Sequence, residues 1–408
     1  MLEKIGKDDE TRPADGDSET SGPVIDPGDY ASDVPAREVV DSLAELSPSM
    51  GDRSAAVGVD VTEACRSGSY FQVDHSLVYS ASGQAGLEVM GLAEALARHG
   101  WLEEYRWKLL PRDMDRYTAS VGTSPHGGYF IRSLAGARAT FPLQACLYMT
   151  REGMVQNVHN IIIAEEGSDL SVITGCTTGP SVRSGLHIGV SEFYVKRGAR
   201  LTFTMLHNWA EGMAVRPRSA ALLEEGAVFV SNYICIAPVM DLQMCPRALC
   251  AGKGSVARFS NVLMAPPGCR LDVGSSVFLR AEESRAEVLS RAVTTGGHIA
   301  ARGLLVGEVP GVKAHMDCRG LILSPEGTIR AVPELRGDAR DVDMSHEAAV
   351  GRIAEDEILY LMSRGLTEEE AVSAIVRGFL DVQIKGLPGR LRDDVERVIA
   401  EVAGRGEI

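Results

Sequence analysis

The 408-residue chain predicts a mainly β fold, a sheeted middle set between helical units at either end. Three observations carry that expectation. From about His126 onward, short β-branched runs alternate with charged, Gly-containing turns, as in NIIIAEEGSDLSVITG, FYVKRGARLTFTML and ALLEEGAVFVSNYICI. In this region a glycine followed by a usually small residue and then an apolar strand recurs at Gly167, Gly198, Gly226, Gly254, Gly268 and Gly327. The steps from Gly198 to Gly226 and from Gly226 to Gly254 are equal. The step from Gly167 to Gly198 is slightly longer, and that from Gly254 to Gly268 is half a period. A constant period with its half fits a coiled sheet of near-constant rung length, whose core comes from stacking. A β-sandwich with regular turns fits it too, so periodicity alone leaves both open. The third observation is that helical stripes flank this region on both sides.

Taken in order, residues 1–56 read as an acidic, largely disordered segment. Up to Asp60, Asp and Glu outnumber Lys and Arg three to one, and the stretch to Tyr30 is rich in Pro, Gly, Ser and Asp. Val39, Val40, Leu43 and Leu46 form a short helical pattern ending near Pro48. Residues 57–125 read as an α-rich unit. Leu87, Met90, Leu92 and Leu96 recur at helical spacing, Gly100 interrupts, and WLEEYRWKLL resumes until Pro111. The sheeted core takes residues 126–345, and residues 346–408 read as a C-terminal helical unit. There Ile358, Leu361 and Met362 form a stripe stopped at Gly365. Thr367 and Glu370 then open a second helix as a capping box, with Val372, Ile375, Val376 and Phe379 on one face. Leu391, Val395, Val398, Ile399 and Val402 mark a last helix.

Composition narrows the function. A formal charge of -15 argues against a nucleic-acid binder. No apolar run approaches the roughly 18–20 residues that cross a bilayer, and MLEKIGKDDE offers no apolar signal core. The expectation is a cytoplasmic protein without membrane or nucleic-acid partners. Eight cysteines are present and none forms a CxxC pair, so neither a zinc ribbon nor a ferredoxin motif is written here. In the cytoplasm they are buried small hydrophobes, reactive thiols or metal ligands. Cys245, Cys250 and Cys269 fall on successive rungs if the full and half periods hold, which would stack them into a second cysteine cluster.

The segment SHEAAVGRIAEDEILYLMSRGLTEEEAVSAIVRGF at 345–379 resembles the C-terminal signature of the SufB/SufD family. That signature is a His-Glu-Ala or His-Gly-Ala triplet, an acidic turn, a YL-x-x-RG run and an EA…GF helix. Upstream resemblances follow in order: WLEEYRWKLL at 101, GYFIR at 128, PLQA at 142, IIIAEEGS at 161, GCT at 175, HNW at 207 and RALC at 247. The resemblance implies a right-handed parallel β-helix between helical units. It also implies a scaffold on which a transient iron–sulfur cluster, 4Fe–4S or 2Fe–2S, is assembled and then passed to apo-proteins. The implied partners are a SufC-like ABC-type ATPase, a second copy or a SufD-like paralogue, and a cysteine desulfurase or other sulfur donor. Glu357, Tyr360, Leu361, Arg364 and Gly365 match the region where the family docks the ATPase. This chain has no GxxxxGK(S/T) sequence, so ATP hydrolysis falls to the partner and the chain is expected not to be an enzyme.

Within the family, the SufB branch carries a cysteine on a late strand and Glu after the signature His. Cys318 in HMDCRG and Glu347 in SHEAAVGR, close to one period apart, resemble that branch. A cluster takes thiolates first, with carboxylate or imidazole filling the rest. The implied ligand set is therefore Cys318, Glu347 and His346. Cys176 in GCT resembles a family cysteine that accepts sulfur, and Trp209 one inside the β-helix on a proposed sulfur path. The sequence departs from the family at His207, where Gln is more common, and at Pro246, where Lys is. A SufD-like structural subunit that holds no cluster is the competing reading. A secreted solenoid enzyme such as a polysaccharide lyase is disfavoured by the N-terminus and the 5% aromatic content.

Overall fold

A computed structural model describes residues 23–235 and 237–380, which fold around a parallel β-solenoid of about eight turns. The expected mainly β fold, with helices towards the termini, is what the chain adopts. One wall is a ten-stranded sheet running from Ser76–Ser82 to Asp343–Gly351, and the other is a bent twelve-stranded sheet. Only two pairings among the described strands are antiparallel. They join Gly68–Val73 to Ser76–Ser82 and Leu87–Gly91 to Tyr129–Ser133, both at the N-terminal end. Several rungs give the bent sheet two short strands, such as Arg270–Val273 and Ser276–Leu279. The breaks fall at Pro217, Pro246 and Gly274. Proline there cannot supply a ladder N–H, so the wall bends where the ladder lapses.

The glycine rhythm has a direct structural cause. Gly136, Gly167, Gly198, Gly226, Gly254 and Gly311 share one corner, with φ between 62° and 75°. Their N–H groups donate to the next rung: Gly167 to the Arg197 carbonyl at 2.9 Å, Gly198 to Glu225 at 2.8 Å, Gly226 to Lys253 at 2.9 Å. The corner itself is thus a hydrogen-bonded ladder that only a left-handed residue completes without strain. Glu283 (φ 61°) and Asp341 (φ 58°) hold the same place in two later rungs, which hides those turns from a search for glycine. Gly268 and Gly327 belong to the other corner, so the half-period step joins two different turns.

Inside, alternate side chains from both walls form one apolar core containing Leu147, Phe193, Phe203, Phe229, Leu263 and Leu305. Five α-helices are described: α1 Pro48–Ala55, α2 Leu92–Arg98, α3 Arg116–Thr123, α4 Glu355–Met362 and α5 Glu368–Leu380. α2 and α3 cover the outside of the bent sheet. The loop before α3 is held by Glu192, whose fully buried carboxylate accepts the N–H groups of Trp107, Lys108 and Leu109, each at 2.7 Å. The same carboxylate meets His159 Nε2 at 2.8 Å. α5 lays Val376 and Leu380 against the outer face of the ten-stranded sheet, beside Val293.

Several local expectations are corrected. Pro48 starts α1 rather than ending a helix, because Ser47 caps it and Pro is tolerated at a first helical position. Residues 23–56 are not a free tail, since Ile25 and Leu43 are buried. Leu87 and Met90 lie on a strand, and the helix begins only at Leu92. Residues 57–125 thus mix three strands with short helices. Residues 346–351 continue the solenoid as strand. The capping box is present: Thr367 N donates to Glu370 Oε2 at 2.8 Å and Glu370 N to Thr367 Oγ1 at 3.2 Å. The last expected helix, at Leu391–Val402, lies outside the described residues. The left-handed corner makes a prediction: Gly226→Ala should lower the unfolding free energy by about 1–2 kcal/mol, read from urea denaturation. No change in midpoint would refute the strain argument.

Candidate functional site

Parallel strands in register place every second side chain in the lumen and the rest outside. On Lys313–Ile322 the lumen takes Ala314, Met316 and Cys318, while Asp317 and Arg319 face out. The next strand, Asp343–Gly351, pairs Met316 with His346, Asp317 with Glu347, and Cys318 with Ala348. Cys318 and His346 therefore share the lumen face as diagonal neighbours. Glu347 does not join them; this is a correction to the expected ligand set. It is exposed on the outer face, with Arg319 Nη2 3.8 Å from its carboxylate, continuing the ion pairs of Asp317 with Arg319 and Arg291. One full rung on from Cys318 is Ala348, so Glu347, a single position short of it, falls on the opposite face. Burial, then the Asp317 carboxylate, pushes the Cys318 thiol up to about 11. His346 Nε2 is buried without a hydrogen-bond partner. A thiol and an unpartnered imidazole nitrogen on one face are donors of the kind that soft metal ions take. Among the described residues no three His, Cys, Asp or Glu side chains converge as a complete metal site.

Earlier rungs hold a second group of chemically active side chains. Cys176 pairs with His207, and His207 with Cys235, so an imidazole sits in register between two lumen thiols. Tyr233, in the neighbouring lumen column, places its hydroxyl 2.9 Å from His207 Nδ1. Trp209 packs against both His187 (ring centroids 4.9 Å) and His207 (5.5 Å). His207 Nε2 and Trp209 Nε1 are buried and unpartnered. Burial raises the Cys176 thiol well above its ordinary range and pushes Cys235 up to about 12. From Tyr233 the column continues through Asn261 and Ser290 to Cys318. Asn261 Nδ2 donates to Ser290 Oγ at 3.3 Å. Cys176 and Cys318 are thus five rungs apart, roughly 24 Å at the usual strand spacing, with polar lumen side chains between them. Cys235, Tyr233, Asn261 and Ser290 were not singled out from the sequence. The step from His207 to Cys235, equal to that from Gly198 to Gly226, was the available signal.

The expected stack of Cys245, Cys250 and Cys269 does not form. Cys250 faces the lumen in register with Leu223 and Leu279, with no cysteine on either side. Cys245 lies at the bend, its Sγ 3.3 Å from Ser276 Oγ, and Cys269 precedes the Arg270–Val273 strand at the other corner. The half-period spacing behind that idea joined two different corners. At the C-terminal end α4 buries none of its residues. Leu359 and Tyr360 are more than half exposed, and Arg364 lies over the Tyr360 ring at 5.2 Å, just before Gly365 (φ 99°). Glu357 is exposed on the same short helix and Leu361 half-buried. No helix among the described residues is long and apolar enough to cross a membrane.

Comparison with known proteins meets this geometry. Residues 147–379 match the family described as SUF system FeS cluster assembly, SufBD core domain. The chain is 48% identical over 367 residues to an iron–sulfur cluster assembly SufBD family protein of Methanothermobacter thermautotrophicus, covering 89% of this chain and 90% of the relative. It is 47% identical over 354 residues to one of Archaeoglobus fulgidus, covering 87% and 95%. The iron–sulfur cluster assembly protein SufB of Bacillus subtilis is 27% identical over 301 residues, covering 72% of this chain and 64% of the relative.

The buried imidazoles predict a pH dependence. His126, stacked on His75 at 3.6 Å, is lowered to about 4 by burial and then by His75; burial lowers His187 to about 3. Groups held neutral in the fold and free to charge when unfolded contribute stability above about pH 6.5, lost as pH falls towards 4. The urea midpoint should therefore drop between pH 7 and pH 5, and less steeply in His126→Gln. Equal slopes for the two proteins would count against this account.

Proposed function

Because the chain belongs to the SufBD family of the SUF iron–sulfur cluster assembly system, we propose that it is a SufB-like scaffold subunit. The cluster is its cargo, built at the C-terminal end of the solenoid and handed to apo-proteins. The observation that carries this reading is Cys318 beside the unpartnered His346 nitrogen on the lumen face of the last rungs. A thiolate and an imidazole are exchangeable soft ligands, and a second subunit at the open rungs can supply the remainder. Leu335 and Val350, both on lumen positions, are about two-fifths exposed there, which favours a second copy or a SufD-like paralogue against this end. The exposed apolar face of α4 is the docking surface for a SufC-like ABC-type ATPase. Cys176 accepts sulfur from a desulfurase-type donor, and the polar lumen column leads from it towards Cys318.

A SufD-like structural role is the second reading, and one observation favours it: Glu347 stands outside, paired with Arg319, instead of beside Cys318. Anaerobic co-expression with the cognate ATPase separates the two. Wild type should carry iron and acid-labile sulfide, and Cys318→Ser should lose most of both; two equally empty proteins would favour the structural reading. Tyr360→Ala combined with Leu361→Ala should cut ATPase co-purification at least tenfold while thermal stability is unchanged. Undiminished recovery would remove α4 from the interface.

A further inference from the structure

The lumen column that reaches Cys318 carries two polar side chains on the rungs just before it. On Val256–Ala265, Arg285–Thr294 and Lys313–Ile322, Asn261, Ser290 and Cys318 follow one another in register, all three buried. Their lumen neighbours two positions along each strand are apolar: Phe259 and Leu263, Val288 and Ala292, and Met316. An amide and a hydroxyl in such surroundings are unfavourable unless they bond to something. Asn261 Nδ2 donates to Ser290 Oγ at 3.3 Å. That bond uses a lone pair of the hydroxyl and leaves its one proton to give. On the far side of Ser290, one strand spacing of about 4.8 Å away, stands Cys318. Burial and then Asp317 push the Cys318 thiol up, while Arg291 and a hydrogen bond from Ser290 pull the other way. Beyond Cys318 the column passes to Ala348, whose exposed methyl brings the sulfur no polar group.

We propose that Ser290 is a positioning residue for Cys318, its hydroxyl donating to the sulfur, and that Asn261 aims that hydroxyl, a role that rests on the reading of Cys318 as the cargo thiol. The chain of donors runs one way. The Asn261 amide gives an N–H to Ser290, Ser290 gives its O–H to Cys318, and the sulfur keeps lone pairs for a metal. A donor on the sulfur constrains its orientation in the lumen. It also withdraws electron density from a metal-bound sulfur, and hydrogen bonds to ligand sulfurs are among the terms that set a cluster's reduction potential. Asn261 acts only through Ser290, since it lies two rungs from Cys318.

The test begins with the full chain, metal-free and anaerobic, read by Raman spectroscopy in the S–H stretching region. The Cys318 band is the one that Cys318→Ala removes. Ser290→Ala should shift that band to lower frequency, because the sulfur loses its donor. Ser290→Thr keeps the hydroxyl and should hold the band at the wild-type position, and Asn261→Leu should move it partway. A merely structural role would not sort the variants by the presence of the hydroxyl, and melting temperatures check that each is folded. A band unmoved in Ser290→Ala, or one in Ser290→Thr that follows the alanine variant, overturns the proposal. A band unmoved in Asn261→Leu removes Asn261 from it. Co-expressed with the cognate ATPase, Ser290→Ala should keep its iron but show a more negative midpoint potential than wild type and Ser290→Thr; equal potentials would overturn the tuning role. Wild type that holds no iron would sink the scaffold reading, while the S–H band still decides whether Ser290 donates to Cys318.

Discussion

In a parallel solenoid the length of each turn of chain decides which side chains can meet. Two residues separated by one full rung share a face and touch. Shift either by one and they stand on opposite sides of a wall. Rung length varies along this chain, and each length is set locally by its turns. Cys176, His207 and Cys235 form a stack because both intervening rungs, one slightly longer than the other, close in register at those positions. Cys318 and Glu347 are separated by the same rule, since their rung closes on Ala348. The chemistry of the lumen is therefore a consequence of turn geometry, and the left-handed corner is where that geometry is enforced.

The two ends of the solenoid are built differently. At the N-terminal end, two antiparallel strand pairs, α2, α3 and the Glu192 carboxylate seal the sheets. A buried carboxyl group held by three amide N–H groups and an imidazole is satisfied only when the loop from Trp107 to Leu109 is seated. At the C-terminal end the described residues give the last rungs little cover. Most of Thr328–Gly337 and Asp343–Gly351 is exposed, and lumen-facing apolar residues reach solvent. Cys318 is the cysteine nearest this end, which places the proposed cargo where another protein can reach it.

The turns were legible because glycine marks a left-handed corner, and the C-terminal signature was legible as a run of adjacent residues. What escaped had physical causes. Glu283 and Asp341 perform a glycine's conformational task while looking like ordinary turn residues. Leu87 and Met90 are compatible with a helix by spacing, but pairing with Tyr129–Ser133 makes them a strand. The place of Glu347 could not be read from its separation from Cys318 without the local rung length. Tyr233, Asn261 and Ser290 carry no local motif, and only stacking brings them into one column with Cys318.

The asymmetry of the ends has a thermodynamic meaning. In stacked repeats each rung is stabilised mainly by its two neighbours, so a terminal rung without a cap has only one. Among the described residues, local opening then costs least at the Asp343–Gly351 strand and progressively more towards the sealed end. His346 lies on that strand, and Cys318 on the one it covers. The residues proposed to hold the cargo thus sit on the part of the described fold that comes apart most cheaply, where grip can be released without disturbing the buried thiol stack further inside.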